Sequence, residues 1–380
     1  MPKKRRFGRV RKLPSGRYQA RYRDPEGIDR PAPHTFASKT DADRWLVRVE
    51  AEIIKGTWRD PDLGRVALGG YLTEWIAHRP GLRPRTIDLY RWLYAKYIEP
   101  NLRDQLLTDI TPGTIRAWRA ELLAQGTAAT MAAKAYRLLR AVLNTALDDE
   151  LIRRNPCRIR GAGLEHAAER PTATVAQVLG LAGLVPARFR VLILLAAFTS
   201  LRYGELVALR RRDIDPRYTT VTVRATLVER QSGAIVFGPP KSAAGLRTVT
   251  IPAAIRRDVR THVRDFVPDD PDALIFTGVT GAVLRRSNFQ RTSNWTAAVT
   301  EVGLPGFHFH DLRHTGNTLA SRTGASLADL MARMGHSTTR AALIYQHTAQ
   351  QQDEEIAEAL STRISGERGR ARSGHTVRRP

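Results

Sequence analysis

The spacing at which apolar residues recur changes along the chain, and that change constrains the fold more than any single motif does. Residues 17–23 alternate, with Tyr18, Ala20 and Tyr22 on one face and Arg17, Gln19, Arg21 and Arg23 on the other, the pattern of a half-buried strand. Turn signals flank this stretch, Pro14-Ser15-Gly16 before it and Asp24-Pro25-Glu26-Gly27 after it, and a further strand is expected from Ile28 towards Phe36. Ser38 or Thr40 then caps a helix with the apolar stripe Ala42, Trp45, Leu46, Val49 and Ile53, and Gly56 ends it. From Leu68 to Arg160 the spacing becomes helical. Stripes begin at Leu72, Trp75 and Ile76, continue through Ile87, Tyr90, Leu93, Tyr94 and Tyr97, and recur at Ile115, Trp118 and Leu122 and from Tyr136 to Leu147.

Asn155-Pro156 and residues 161–171 have no apolar period and read as a linker. Beyond it the pattern is mixed: helices over Val175–Leu184 and Phe189–Thr199, strands over Thr219–Val228, Ala234–Phe237 and Arg247–Ile251, and helices again after Pro252. The expected fold class is multidomain. A small sheet-plus-helix domain occupies 1–60, an all-α domain 66–160 and a mixed α+β, mainly α domain 171–364, with a basic, disordered tail over 365–380. No internal repeat or Walker loop is present.

Composition identifies the kind of partner. Against 37 Asp and Glu the 380-residue chain carries 61 Lys and Arg, a formal net charge of +24. Such a surface binds an acidic polymer through counterion release, and nucleic acid is favoured over an acidic membrane because no long basic amphipathic helix with bulky apolar residues stands out. The longest apolar run, Val191–Phe198, falls far short of the roughly 20 residues of a bilayer span. Met1–Lys12 lacks the apolar stretch of a secretory signal, and the lone Cys157 allows no intramolecular disulfide or Cys-rich zinc site, so a cytoplasmic location is expected. Arg17, Arg21 and Arg23 on the strand, and Arg85, Lys134 and Arg137 among the helical-domain cations, are the candidate DNA contacts. A solvated sheet edge carries equal weight for the first three.

Four short stretches of the last domain carry chemistry. In Thr199-Ser200-Leu201-Arg202-Tyr203-Gly204-Glu205 an arginine follows an apolar helix; a buried guanidinium there needs an anion, and either a phosphate or Glu205 supplies it. Lys241 lies among turn residues between strands, at an expected hairpin tip, in Gly238-Pro239-Pro240-Lys241-Ser242-Ala243-Ala244-Gly245. In Phe307-His308-Phe309-His310-Asp311-Leu312-Arg313-His314, a helix starting near His310 sets His310 and Arg313 side by side at i and i+3. His310, His314 and His308 also raise a zinc reading, disfavoured by the missing HExxH context and cysteine cluster. Finally, Gly335 ends one helix before His336, Ser337 or Thr338 caps the next, and Tyr345 falls about two turns along it.

Arg202, Lys241, the HxxR pair His310 and Arg313, the Gly-His of His336, and Tyr345 together resemble, in order and setting, the tyrosine recombinase (phage integrase) family. The resemblance runs strongly over Val175–His347; the helical segment resembles the family's core-site-binding domain and residues 1–60 its arm-site-binding domain. It implies a catalytic set of Arg202, Lys241, His310, Arg313, His336 and Tyr345, with no metal or other cofactor. Tyr345 attacks a DNA phosphorus to give a 3′-phosphotyrosine and a 5′-hydroxyl, which conserves the bond energy without ATP. Arg202 and Arg313 offset the transition-state charge, His310 and His336 donate hydrogen bonds, His310 moves the tyrosine proton, and Lys241 protonates the leaving oxygen. Glu205 orients Arg202.

The partners implied are double-stranded DNA at core and arm sites, a homotetramer on DNA, and accessory directionality or bending proteins. Residues 353–364, with Ile356, Ala359, Leu360 and Ile364 at helical spacing, could dock on a neighbouring protomer or within their own chain. A type IB topoisomerase shares the chemistry but lacks a need for the N-terminal modules. A DNA-binding regulator without catalysis and a metal-dependent nuclease or transposase are the further alternatives.

Overall fold

The computed structural model describes residues 7–165, 170–335, 337–339 and 361, and the chain divides into two compact units, Met1–Ala167 and Ala168–Pro380. The first unit opens with the antiparallel strands β1 (Arg9–Lys12), β2 (Tyr18–Arg23) and β3 (Asp29–Pro31), arranged in the order β1-β2-β3. The alternation of β2 buries Ala20 and Tyr22 against Ala42, Leu46 and Val49 of helix α1 (Lys39–Ile54), which Ser38 caps by accepting from the Asp41 amide. Register sets Arg9 opposite Arg21, and the Asp29 carboxylate accepts from both guanidiniums, at 2.7 and 2.8 Å, which offsets their repulsion. β3 is shorter than the expected Ile28–Phe36 strand. Pro31 and Pro33 have no N–H to donate, and only a single bridge between Tyr18 and Phe36 resumes the pairing.

The rest of this unit is helical: α2 (Leu68–His78), α3 (Pro84–Leu93), a π-helical turn at Tyr94–Ile98, α4 (Glu99–Leu102), α5 (Pro112–Ala124) and α6 (Ala129–Asp148). The π turn sits just before Pro100, whose ring cannot donate an N–H and crowds the preceding turn. Leu72, Trp75, Leu93, Ile115, Trp118, Tyr136, Leu139 and Leu143 form the core, with the Trp118 indole donating to the Tyr97 carbonyl.

The expected linker is only partly one. Residues 155–165 fold back onto α6: Asn155 donates to the Arg140 carbonyl and Asn144 Oδ1, Cys157 and Ala162 are buried, and the Tyr136 hydroxyl accepts from the Ile159 amide. Polar side chains that bond backbone replace the apolar period that would have marked this segment as packed.

In the second unit, α7 (Val175–Leu184) starts at a Thr174 and Gln177 capping box and packs on α8 (Ala187–Phe198). Val191–Ala197 are buried on every side, so α8 is the central helix of the unit. A short α9 (Tyr203–Leu206) follows. The expected strand Thr219–Val228 breaks at Arg224 and Ala225 into β4 (Thr220–Val223) and β5 (Thr226–Glu229). β5 pairs with β6 (Ile235–Gly238), and β4 pairs with β7 (Arg247–Thr250), giving two separate antiparallel ribbons. Helices α10 (Arg256–Phe266), α11 (Arg286–Thr292), α12 (Trp295–Glu301), α13 (Phe309–Ser321) and α14 (Leu327–Met334) complete the described part. α13 crosses α8 at Gly316, where an added Cβ would lie 1.9 Å from the Ala197 carbonyl oxygen. Among the described residues no helix is long and apolar enough to cross a membrane.

Candidate active site

The site begins where α8 ends. Thr199 and Ser200 are buried, and Ser200 is held in the left-handed region at φ 56°, a conformation that costs a non-glycine residue about 1–2 kcal/mol and so must be compensated by its surroundings. The compensation comes from α13: the buried Arg313 donates to the Ser200 carbonyl through one terminal nitrogen and to the Met334 carbonyl, at 2.6 Å, through the other. Two residues past Ser200 stands Arg202, so the turn that Arg313 holds also delivers a second guanidinium.

Arg202 is not buried. Its side chain is 39% exposed, and the buried partner is Glu205, whose carboxylate accepts from the Arg202 guanidinium at 2.7 Å and from the Arg202 amide at 2.9 Å. The ion pair and an open guanidinium edge therefore coexist. Burial works to raise the Glu205 pKa, but the hydrogen bond and charge of Arg247, with the Arg202 amide and charge, outweigh it and hold the carboxyl below its usual range.

α13 supplies the imidazoles. Its N-cap is His308, whose amide donates to Asp311 at 2.7 Å; Asp311 is buried and takes two further hydrogen bonds, at 2.9 and 2.6 Å, from Arg170. His308, the third histidine of the zinc reading, is occupied at this cap, where its ring also meets the Arg170 guanidinium. Among the described residues no group of three or more His, Cys, Asp or Glu is arranged to hold a metal ion. His310 and His314 follow one turn apart, ring centroids 5.0 Å from each other. The protein packed around His310, and then the neighbouring His314 and Arg313, whose charges oppose a second one, push its pKa down to about 4 although the residue as a whole is exposed, so the ring is neutral near pH 7.

Lys241 does not sit at a hairpin tip. β6 and β7 belong to different ribbons, and exposed Lys241 rides on the connection that crosses from one to the other; the tip of the β5–β6 hairpin is residues 230–234. Breaking of the long first strand moved the pairing partners. Gly335, left-handed at φ 64°, ends α14 as expected. His336, Tyr345 and, apart from residue 361, the segment 353–364 lie outside the described residues.

Of the candidate DNA contacts, Arg23 and Arg85 are exposed, while Arg17 donates to the Thr35 hydroxyl and carbonyl and Arg21 to Asp29. Arg137 and Lys134 pair with Glu165, the Lys134 ammonium at 3.6 Å. Two buried groups escaped the sequence reading. Asp311 was marked by standing three residues after the cap of a helix, and Arg247 by sharing the inward parity of its strand with Val249 and Ile251.

Arg313 ties α13 to the turn that carries the partly exposed Arg202, and guanidiniums held in this way suit an anionic group such as a phosphodiester. Comparison with known proteins gives the family. Residues 175–352 match the Phage integrase family, residues 6–55 its N-terminal domain and residues 67–123 its N-terminal SAM-like domain. The putative prophage phiRv2 integrase of Mycobacterium tuberculosis is 39% identical over 364 residues, 94% of this chain and 96% of the relative. The integrase of Mycobacterium phage L5 is 35% identical over 370 residues, covering 94% and 98%. Among solved structures, the Tn1549 transposon integrase in complex with a circular intermediate DNA superposes with TM-score 0.68 at 19% identity, over 77% of this chain and 99% of that one. A lambda integrase dimer bound to a COC′ core site gives TM-score 0.55 at 19% identity, over 92% and 97%. The chain belongs to the phage integrase family and is a tyrosine-type site-specific recombinase, an integrase.

Proposed function

We propose that the catalytic set is Arg202, Lys241, His310, Arg313, His336 and Tyr345, and that it cuts and rejoins double-stranded DNA at the junction of a mobile element and its host. The observation that carries this reading is the clasp of Arg313 on the Ser200 carbonyl, which ties the helix bearing His310 to the turn bearing Arg202. The Tyr345 phenolic oxygen attacks phosphorus, its proton passes to neutral His310, and the 5′-oxygen leaves as a hydroxyl with a proton from Lys241. The new bond is a 3′-phosphotyrosine; the freed 5′-hydroxyl of another strand reverses the step. Arg202 and Arg313 offset the charge that builds on the non-bridging oxygens, with the imidazole of His336 as a further donor. An arriving phosphate raises the His310 pKa from its low value, which improves it as a base at the moment of need.

In this reading residues 1–60 bind arm sites through the arginine face of the sheet, residues 66–160 bind core sites, and residues 171–364 are catalytic. Four protomers hold two sites, in the cytoplasm, with accessory bending or directionality proteins. A solved lambda integrase tetramer bound to a Holliday junction, matched with TM-score 0.54 at 19% identity, supports the fold side of that assembly. The test is covalent trapping. A nicked duplex spanning the element–host junction gives an adduct that survives SDS with the native chain, in EDTA as well as without it. Tyr345→Phe binds the same duplex and gives none; an adduct with that variant overturns the nucleophile assignment, and loss of the adduct in EDTA overturns the metal-free chemistry.

A further inference from the structure

Arg247 opens β7, a few residues past Lys241 on the same connection, and its side chain is 6% exposed. Each end of its fork is used. One terminal nitrogen donates to Glu205 Oε2 at 2.9 Å, the other to Glu205 Oε1 at 3.3 Å and the Gly245 carbonyl at 3.1 Å, and Nε donates to the Arg333 carbonyl at 2.9 Å. It thereby joins three segments: the backbone of the β6–β7 connection, the Glu205 carboxylate on α9, and the backbone of the last turn of α14. The fit at α14 is close, since a Cβ on Gly335 would lie 2.9 Å from an Arg247 terminal nitrogen and 2.9 Å from the Ala244 carbonyl oxygen.

Resting on the catalytic set above, we propose that Arg247 is a positioning residue for DNA cleavage: it saturates the Glu205 carboxylate and so leaves one edge of the Arg202 guanidinium for the scissile phosphate. Glu205 is buried and ionised, and a buried carboxylate draws in every donor it can reach. With Arg247 present, Arg202 shares Glu205 and bonds it through a single terminal nitrogen. Without Arg247, Arg202 is the remaining cation paired with Glu205 among the described residues, and a guanidinium closes bidentate on a carboxylate when nothing competes. The phosphate then loses its donor although every catalytic side chain is still in place. At the other end, the same guanidinium and Arg313 hold adjacent carbonyls, Arg333 and Met334, directly before Gly335 and His336.

The experiment compares single-turnover strand cleavage by the full chain on two nicked junction duplexes, one with a natural phosphodiester and one with a methylphosphonate at the scissile position. The methylphosphonate has no negative charge for Arg202 to neutralise. Arg247→Met is expected to cleave the diester about 100-fold more slowly, the scale of a misplaced reacting group, with junction-duplex affinity unchanged and the deficit largely absent on the methylphosphonate. Arg247→Lys falls between the native chain and Arg247→Met, and it gives the reading if Arg247→Met does not fold. Equal losses on both duplexes, or no loss on either, overturn the proposal. Arg202→Ala is the control that separates the two levels. If its deficit does not shrink on the methylphosphonate, the phosphate role of Arg202 itself fails; if it shrinks while that of the Arg247 variants does not, only the positioning role fails.

Discussion

The arginines of the catalytic unit and those of the N-terminal sheet use the same side chain in opposite ways. Arg313 is buried and the Arg247 side chain is 6% exposed, and their donors are committed to named carbonyls and carboxylates, so each fixes a position in space. Arg11, Arg17 and Arg23 are exposed on the rim and outer face of a three-stranded sheet, and where they are paired, as Arg11 with Gln19 and Arg17 with Thr35, the pairs are exposed too. In the proposed mechanism fixed cations serve one phosphate through geometry, and exposed cations serve many through their number. A substitution in the first group is therefore expected to cost rate, and one in the second to cost affinity.

Arg313→Lys is the largest break available. It keeps the charge but cannot span both the Ser200 and Met334 carbonyls, and cleavage is expected to fall by about 10²–10³-fold, the usual loss for one transition-state donor, while junction binding stays close to native. Single-turnover trapping and a binding titration on one preparation separate the two effects. Retained cleavage with weakened binding would reverse the comparison.

The second effect is a proton. His310 titrates near 4 in the free protein against an ordinary 6.5, so the unfolded chain binds a proton that the folded one refuses. Stability from this group is fully present above about pH 6.5 and is lost as the pH falls towards about 4, because the slope of stability with pH is positive wherever the unfolded state holds more protons. A bound phosphate opposes the shift. Calorimetric titration at about pH 5.5 in two buffers of different ionisation enthalpy is expected to show proton uptake on binding the junction duplex, reduced in His310→Gln. The same uptake in that variant would place the titrating group elsewhere.

Smallest is the sheet. Arg23→Ala is expected to weaken binding to arm-site DNA without changing cleavage of a core duplex, and to lower the slope of log affinity against log salt by about 1. Arg21→Ala should do less, since its guanidinium is already shared with Asp29. A slope unaltered in both variants would leave the sheet as a solvated surface.

Elements with their own period were legible in the sequence. Val175–Leu184 is a helix over the whole expected range, and the alternation of residues 18–22 gives the buried face of β2. What could not be read was set by distant partners. The kink at Arg224 and Ala225 exchanges one long strand for two ribbons, and nothing within residues 219–228 announces that β5 prefers β6 while β4 prefers β7. Arg247 reads as one more basic residue until Glu205, 42 positions away, is seen beneath it. Residues 155–165 read as a linker because their packing runs through an asparagine and a tyrosine hydroxyl and not an apolar stripe. The residues proposed as catalytic stand out in the sequence for a related reason: phosphate chemistry demands particular side chains, whereas the groups that aim them are chosen by local fit.

All of this depends on one phenol. Digestion of the trapped protein–DNA adduct with protease and nuclease, followed by mass mapping of the peptide that keeps a nucleotide, locates the covalent bond. The expected result is a nucleotide remnant on Tyr345, attached through its 3′-phosphate. A remnant on any other residue, or cleavage in the absence of one, contradicts the account.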